Sequence, residues 1–395
     1  MMTIVEAAKA MGKTALLEKI KKVSLMEYGL FREPLADKLD RSCQEKENTC
    51  VYAGLNNADL DGVLLTLLRE KLESVLSGIV IAGMLVDAKE QFLYLPEKEI
   101  ELAEQIRSRA EEYGIRVIND IVNVREAEES LILHLVTAAD LSDLVMDDYD
   151  AGVYIADNEG NLKKTSEETM VSELVSLEDA KAVYLGYQYY TPEEAEGLKA
   201  KDAINGVIRV LTEKDCIVDD ASKILLRDRA VSCGRCVFCR EGLIQLEYMQ
   251  REITQARGKV NYQELTNEIG EAMSYSSLCS IGQESAKTVL SAMEKFPAEY
   301  QAHIKKNKCP AGVCSAFVHI YIDPQTCNGC GDCMDICPAN CIDGKAKYIH
   351  MIDEFECTKC GKCIEECGEE AIIQTAGKLP KLPNRLVKVG KFKKH

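Results

Sequence analysis

The sequence predicts a multidomain chain of mixed α/β and α+β class that ends in a small cysteine-dense domain. Three observations carry this. Cysteines recur in two matched registers between residues 327 and 367, a third cysteine group sits in a helical stretch near residue 236, and a strand–helix–strand order runs from residue 92 to 124. A length of 395 residues suits roughly two to four domains with cores of their own. The expected divisions are an α/β region over 1–172, a β-grasp-like module over 173–218, a helical bundle over 219–305, a cluster domain over 306–380 and a basic tail over 381–395.

Residues 3 to 27 place Ala7, Leu16, Leu17, Ile20 and Val23 at helical spacing, which predicts one or two short helices. Gly12-Lys13-Thr14 is no phosphate loop, because Ala7 stands where that pattern needs its first glycine. Between Tyr28 and Cys50 the pattern dissolves into polar sequence. A helix over 71–89, a buried strand at Phe92–Leu95, a helix opened by Pro96 and stopped by Gly114, and a strand from Ile115 together predict an α/β layer. Residues 139–172 are acidic and poor in apolar residues, so a long loop or shrunken subdomain is expected there. The β-rich pieces AVYLGYQYY, GVIRVL and CIV follow, and from Ala221 to Ile304 the composition is helical.

The cysteines carry the chemistry. Cys327, Cys330, Cys333 and Cys337-Pro338 form a C-x2-C-x2-C-x3-C-P run, and Cys357, Cys360, Cys363 and Cys367 repeat it. This is the run of bacterial ferredoxins with two [4Fe–4S] clusters, in which the fourth cysteine of each run serves the other cluster. The expected ligand sets are therefore Cys327, Cys330, Cys333 with Cys367, and Cys357, Cys360, Cys363 with Cys337. Zinc prefers separated C-x2-C pairs, and a disulfide framework needs an oxidising compartment. Cys233, Cys236 and Cys239, with Cys279 some forty residues on, suit a third [4Fe–4S] cube between two helices. Of the remaining thiols, Cys309 and Cys314 bracket a tight turn, Cys341 replaces the alanine (Ala371) of the second repeat, and His350 follows in the inter-repeat loop. These four are a candidate Cys3His zinc site. Cys43, Cys50 and Cys216 are read as small buried or loop thiols.

The net charge of −17 argues against nucleic acid as a partner. The exception is the tail after Gln374, where Lys378, Lys381, Arg385, Lys388, Lys391, Lys393 and Lys394 meet no acid; it reads as a frayed, solubilising terminus, with docking on an acidic neighbour as the alternative. No apolar run is long enough to span a membrane, the opening residues are polar and amphipathic, and abundant thiols point to a reducing cytoplasm.

The stretch Ser232-Cys233-Gly234-Arg235-Cys236-Val237-Phe238-Cys239-Arg240-Glu241-Gly242, followed by Leu278-Cys279-Ser280-Ile281-Gly282, resembles the NADH-oxidising flavoprotein subunit of respiratory complex I. The same subunit type occurs in NAD-reducing and electron-bifurcating hydrogenases, where a C-P-A-x-x-C element like Cys309–Cys314 and a two-cluster ferredoxin domain follow. The resemblance is specific over 219–375 and collinear but weak before that. It implies an FMN- and NADH-binding α/β scaffold ahead of the β-grasp module and the bundle. That scaffold is degenerate here. The family's G-R-G-G-A-G-F-P loop corresponds to Tyr28-Gly29-Leu30-Phe31-Arg32-Glu33-Pro34, its N-A-D-E-x-E-P-G survives only as Asn57-Ala58-Asp59, and its C-G-E-E-T-A-L segment has no counterpart in 139–172. Too few glycines remain for backbone amides to close on a phosphate, and Glu33 would repel one.

The expected function is an iron–sulfur electron relay through three [4Fe–4S] clusters, without FMN or NADH chemistry of its own. The alternatives are an NADH-oxidising subunit with an unfamiliar flavin loop, and an assembly protein that keeps clusters for structure. The resemblance implies partners in a hetero-oligomer: a thioredoxin-like [2Fe–2S] subunit and a catalytic flavoprotein, hydrogenase or dehydrogenase.

Overall fold

The structure is a computed structural model that describes residues 2–44, 49–125, 127, 130–156, 160–376 and 379–393. The chain divides into two compact units. The first comprises Met1–Leu211, Ile224–Leu246 and Thr266–Ser291; the second comprises Thr212–Lys223, Glu247–Leu265 and Ala292–His395.

In the first unit, helices α1 (Ile4–Met11) and α2 (Lys13–Val23) meet at Gly12, whose φ of 79° permits the sharp break. Thr3 and Glu6 form a capping box at the start of α1. Helix α3 (Leu35–Gln44) occupies the stretch where the sequence reads as patternless. Its apolar side is only Leu35, Ala36 and Leu39, too few to stand out among charged neighbours. Strand β1 (Cys50–Gly54), helices α4 (Thr66–Glu70) and α5 (Leu72–Leu85), strand β2 (Glu90–Leu95), helix α6 (Ile100–Glu112) and strands β3 (Ile115–Asn119) and β4 (Leu131–His134) follow. Leu93 and Leu95 alternate into the core from β2, while Leu102, Ala103, Ile106 and Ala110 line one face of α6, which ends at Gly114.

The four strands form a parallel sheet in the order β3-β2-β1-β4. The order reverses between β1 and β4. In open α/β sheets that reversal opens a crevice beyond the carboxyl ends of the two strands, where ligands bind.

Helix α7 (Leu135–Val145) corrects the expectation for residues beyond 139. It is buried on nearly every face and so shows no amphipathic stripe. It crosses α5 so closely that a Cβ on Gly78 would lie 1.7 Å from the Ala138 carbonyl oxygen. A hairpin of β5 (Val153–Ala156) and β6 (Leu162–Thr165) and the short helix α8 (Val171–Leu174) complete the region. Strands β7 (Ala182–Leu185), β8 (Gln188–Tyr190) and β9 (Ile208–Leu211) make an antiparallel sheet ordered β8-β7-β9, with helix α9 (Pro192–Ala195) between β8 and β9. The piece CIV is no strand: Ile217 begins helix α10 (Ile217–Val231).

Helices α10, α11 (Val237–Thr254), α12 (Tyr262–Ser276) and α13 (Ser280–Lys295) contribute segments to both units. Helix α14 (Pro297–Lys306) belongs to the second unit. There the chain continues through strand β10 (His319–Ile322), helix α15 (Asp332–Asp335), strands β11 (Ile342–Asp343) and β12 (Met351–Ile352), helix α16 (Lys362–Glu366) and strand β13 (Ile372–Thr375). Antiparallel pairs β10–β13 and β11–β12 close the two cysteine runs into one fold around Ile320, Ile322, Ile342, Ile349 and Ile372. The tail is not frayed through Phe392. Ile349 N–H donates to Val387 O (2.9 Å), Val389 N–H donates to Lys347 O (3.1 Å), and Val387 and Phe392 pack on the same core. The apolar residues spaced among the lysines dock the segment, a pattern masked by its charge.

Candidate iron–sulfur and metal centres

Each cysteine run of the second unit begins in a turn and wraps through a left-handed glycine into a short helix. Cys327 N–H donates to Asp323 O and Cys357 N–H to Asp353 O, both at 3.0 Å. Gly331 (φ 110°) then opens α15, which carries Cys333, and Gly361 (φ 78°) opens α16, which carries Cys363. Such φ values favour glycine, and a Cβ on Gly329 would lie 2.6 Å from the Tyr348 carbonyl oxygen. Burial pushes the Cys333 thiol up to about 12, and Cys327, Cys330 and Cys367 crowd their charges onto it. Cys363 is likewise raised by burial, then by Cys357, Cys360 and Cys337. The charged neighbours of Cys333 thus include Cys367, and those of Cys363 include Cys337, in each case the fourth cysteine of the opposite run. Four thiolates in a shielded site repel one another unless a cationic core compensates them, which suits an iron–sulfur cube.

In the first unit, α10 ends before Ser232, Gly234 (φ 68°) turns the chain, and α11 places Cys239 in its first turn. Arg240 Nη1–H clamps the loop by donating to Gly234 O (3.0 Å). Cys279 lies immediately before α13. Burial pushes Cys239 up to about 11; the Ser232 hydroxyl, 3.6 Å from its sulfur, opposes this, and Cys279, Cys236 and Cys233 add to it. The Cys279 thiol is raised by burial against hydrogen bonds from the Ile281 and Gly282 amides and the Asn57 side chain. A Cβ on Gly282 would meet Ser277 Oγ at 2.3 Å and Cys239 Cβ at 3.0 Å, so this turn must be glycine.

The crevice at the sheet's reversal adjoins Cys279. A cavity of about 120 Å³ is lined by Gly54, Asn56 and Asn57 after β1, by His134 at the end of β4, and by Glu27, Lys38 and Cys279 among others. Asn57 is locked by Val122, donating from Nδ2 to its carbonyl and accepting its N–H at Oδ1, both at 2.9 Å. Ala58 N–H donates to Ser280 Oγ (3.0 Å). The 28–34 loop folds on itself: Met26 bridges Pro34, Glu27 N–H donates to Glu33 O (2.9 Å), and Leu30 N–H points to Asn56 Oδ1 (3.5 Å). Glu27 is buried, accepts the His134 N–H (2.8 Å) and pairs with Lys38 (3.3 Å). Tyr187 Oη donates to Asp59, whose other oxygen lies 3.7 Å from His134 Nε2.

A fourth group lies in the second unit. Cys216, His303, Cys309 and Cys314 are all buried, with their ligand atoms within 4.8 Å of one another. His303 Nε2 is 3.4 Å from Cys216 Sγ and 3.6 Å from Cys314 Sγ, and the two sulfurs are 3.6 Å apart. A tetrahedral zinc site with ordinary bond lengths has S···S edges of about 3.8 Å and S···N edges of about 3.6 Å. His303 Nδ1 lies 2.8 Å from Glu299 O, which fixes the tautomer with its lone pair on Nε2, facing the sulfurs. Hydrogen bonds from Cys216 and Cys314 drive the Cys309 thiol strongly towards thiolate.

Residues 224–303 match the family described as NADH-ubiquinone oxidoreductase-F iron-sulfur binding region, and residues 319–368 match a 4Fe-4S dicluster domain. The chain carries both iron–sulfur regions. Relatives include HndC of the NADP-reducing hydrogenase of Solidesulfovibrio fructosivorans, 38% identical over 170 residues, 43% of this chain and 35% of that protein. A component of the NADH-quinone oxidoreductase of Streptomyces coelicolor is 28% identical over 121 residues, 30% of this chain and 27% of the relative. The match thus spans about a quarter to a third of these relatives' length. An NAD+-reducing [NiFe]-hydrogenase in its H2-reduced state shares the fold, with a TM-score of 0.64 at 16% identity over 77% of this chain and 65% of that one.

The twelve cysteines in three C-x2-C registers lie within or beside these two regions. The four-residue zinc expectation fares differently. Cys309 and Cys314 meet Cys216 and His303, whereas Cys341 Sγ lies 3.5 Å from Cys337 Sγ and His350 Nδ1 lies 3.9 Å from Cys327 Sγ. Cys216, read as a small buried or loop thiol, is buried and lies in this group. It stands 98 residues before Cys314, a separation no local spacing reveals. His303, six residues before Cys309 on the buried face of α14, was the one legible hint. Cys50 is a half-buried residue of β1, and the Cys43 side chain lies outside the described residues. Among the described residues, no helix is long and apolar enough to cross a membrane.

Proposed function

We propose that this chain is an electron-relay subunit of a hetero-oligomeric oxidoreductase, holding three [4Fe–4S] cubes and one structural zinc, without a flavin or nucleotide site of its own. A bound cube takes up and releases one electron at a time. The residues supply the rest. Cys233, Cys236, Cys239 and Cys279 hold one cube, with the α13 amides, Asn57 and Ser232 stabilising sulfur charge. Cys327, Cys330, Cys333 and Cys367 hold the second, and Cys357, Cys360, Cys363 and Cys337 the third. Cys216, His303, Cys309 and Cys314 hold the zinc.

The observation that carries the reading is the contrast between complete thiol sets and the altered crevice. A flavin mononucleotide does not fit the residues present. Ligand pockets of that kind measure roughly 300–1,000 Å³, and this one is about 120 Å³. The loop that would cradle the phosphate is closed by its own hydrogen bonds and by Asn56, with buried Glu27 beside it. Partners that donate and accept the electrons follow from this, and the thioredoxin-like [2Fe–2S] subunit and the catalytic flavoprotein, hydrogenase or dehydrogenase remain the proposed ones. Iron and sulfide analysis after anaerobic reconstitution tests the cubes: about twelve irons per chain are expected, and saturation at about eight removes one cube.

A further inference from the structure

His350 is buried to 2% exposure, and among the described residues its Nε2 has no hydrogen-bond partner. Its Nδ1 lies 3.9 Å from Cys327 Sγ. The ring's place is reserved by backbone chemistry, since a Cβ on Gly344 would lie 1.6 Å from His350 Cδ2. A buried N–H without an acceptor is costly, whereas a buried imine lone pair without a donor is tolerated more readily. A neutral imidazole carries a single N–H. That hydrogen therefore belongs on Nδ1, the nitrogen that has a neighbour to receive it.

We infer that His350 is a positioning residue that donates an N–H···S hydrogen bond to Cys327 and raises the reduction potential of the cube held by Cys327, Cys330, Cys333 and Cys367. Reduction adds negative charge that spreads onto the ligand sulfurs, so a donor aimed at one of them stabilises the reduced state more than the oxidised one. The two lobes of the domain differ in this respect. Thirty residues after His350 stands Pro380, which has no side-chain or backbone hydrogen to donate, and Cys357 Sγ instead accepts the Lys359 backbone amide at 3.4 Å. The histidine thus gives the cube of Cys327 a side-chain N–H donor of its own, whereas the other cube has the Cys341 thiol 3.5 Å from Cys337 Sγ.

The inference rests on the proposed cube ligation, and the test separates the two. Wild-type chain, reconstituted anaerobically and titrated with dithionite and mediators, is followed by electron paramagnetic resonance alongside iron analysis. If wild type lacks the domain's cubes, the relay reading fails before any variant is compared. With cubes present, His350→Leu should lower one couple alone, changing its reduced-to-oxidised ratio at fixed potential about tenfold, equivalent to ~59 mV for one electron. His350→Gln, which keeps an N–H, should restore most of the shift. Unmoved couples in His350→Leu at full iron content overturn the inference. So does an equal shift in His350→Gln, or loss of about four irons in His350→Leu, which would make the residue a support for the cube and not a tuner of it.

Discussion

Replacing Cys216 with alanine isolates the zinc proposal, because the residue lies outside all three C-x2-C registers and both matched iron–sulfur regions. The remaining ligands His303, Cys309 and Cys314 are at most 3% exposed, so the site cannot relax into water. Removing one member of a compensated buried charge cluster costs about 3 kcal/mol at the least. For a unit of this size that lowers Tm by about 6–12 °C. Elemental analysis with thermal unfolding reads both quantities. Zinc should fall from about one per chain to none in Cys216→Ala while iron stays constant. Cys341→Ala provides the contrast, since Cys341 sits against Cys337 and should leave zinc untouched. Full zinc in Cys216→Ala, or its loss in Cys341→Ala, would refute the assignment.

Further expectations concern the scaffold. Gly78→Ala forces a methyl group into the Ala138 carbonyl, where backbone cannot yield cheaply, so chemical denaturation should show a loss of about 3 kcal/mol or more. Asp228 is buried, and burial raises its carboxyl to about 6 despite Arg227. A raised folded pKa favours the native state below about pH 4 and loses that contribution as pH rises through 6, so Asp228→Asn should gain about 2 kcal/mol on wild type at pH 7.5, a gain that shrinks towards pH 5. Deleting residues 385–395 strips two backbone hydrogen bonds and the packing of Val387 and Phe392 from the dicluster domain. That should cost about 1–3 kcal/mol and speed iron release in denaturant.

The two iron–sulfur regions were legible because their cysteines are local: three at fixed short spacing define a binding loop before any tertiary contact forms. The β2–α6–β3 layer was legible for the same reason, through alternation in the strands and one apolar face on α6. Helix α7 escaped because full burial erases the polar–apolar contrast on which periodicity depends. The partners of Cys309 and Cys314 escaped because Cys216 reaches them across the fold, whereas Cys341 and His350 are merely close in sequence. The glycine-poor 28–34 loop pointed to an altered crevice. It did not show Asn56 turned onto Leu30 N–H, or the 56–59 turn tied to Ser280 beside Cys279.

The central claim, intact ligand sets beside a crevice that holds no flavin, is tested most directly by mixing the reconstituted chain with NADH and FMN under anaerobic conditions and following the visible spectrum. The account predicts that NADH leaves the cluster absorbance unchanged, that dithionite bleaches it, and that FMN passes freely through an ultrafiltration membrane. Bleaching by NADH, or FMN retained at one per chain, would contradict it.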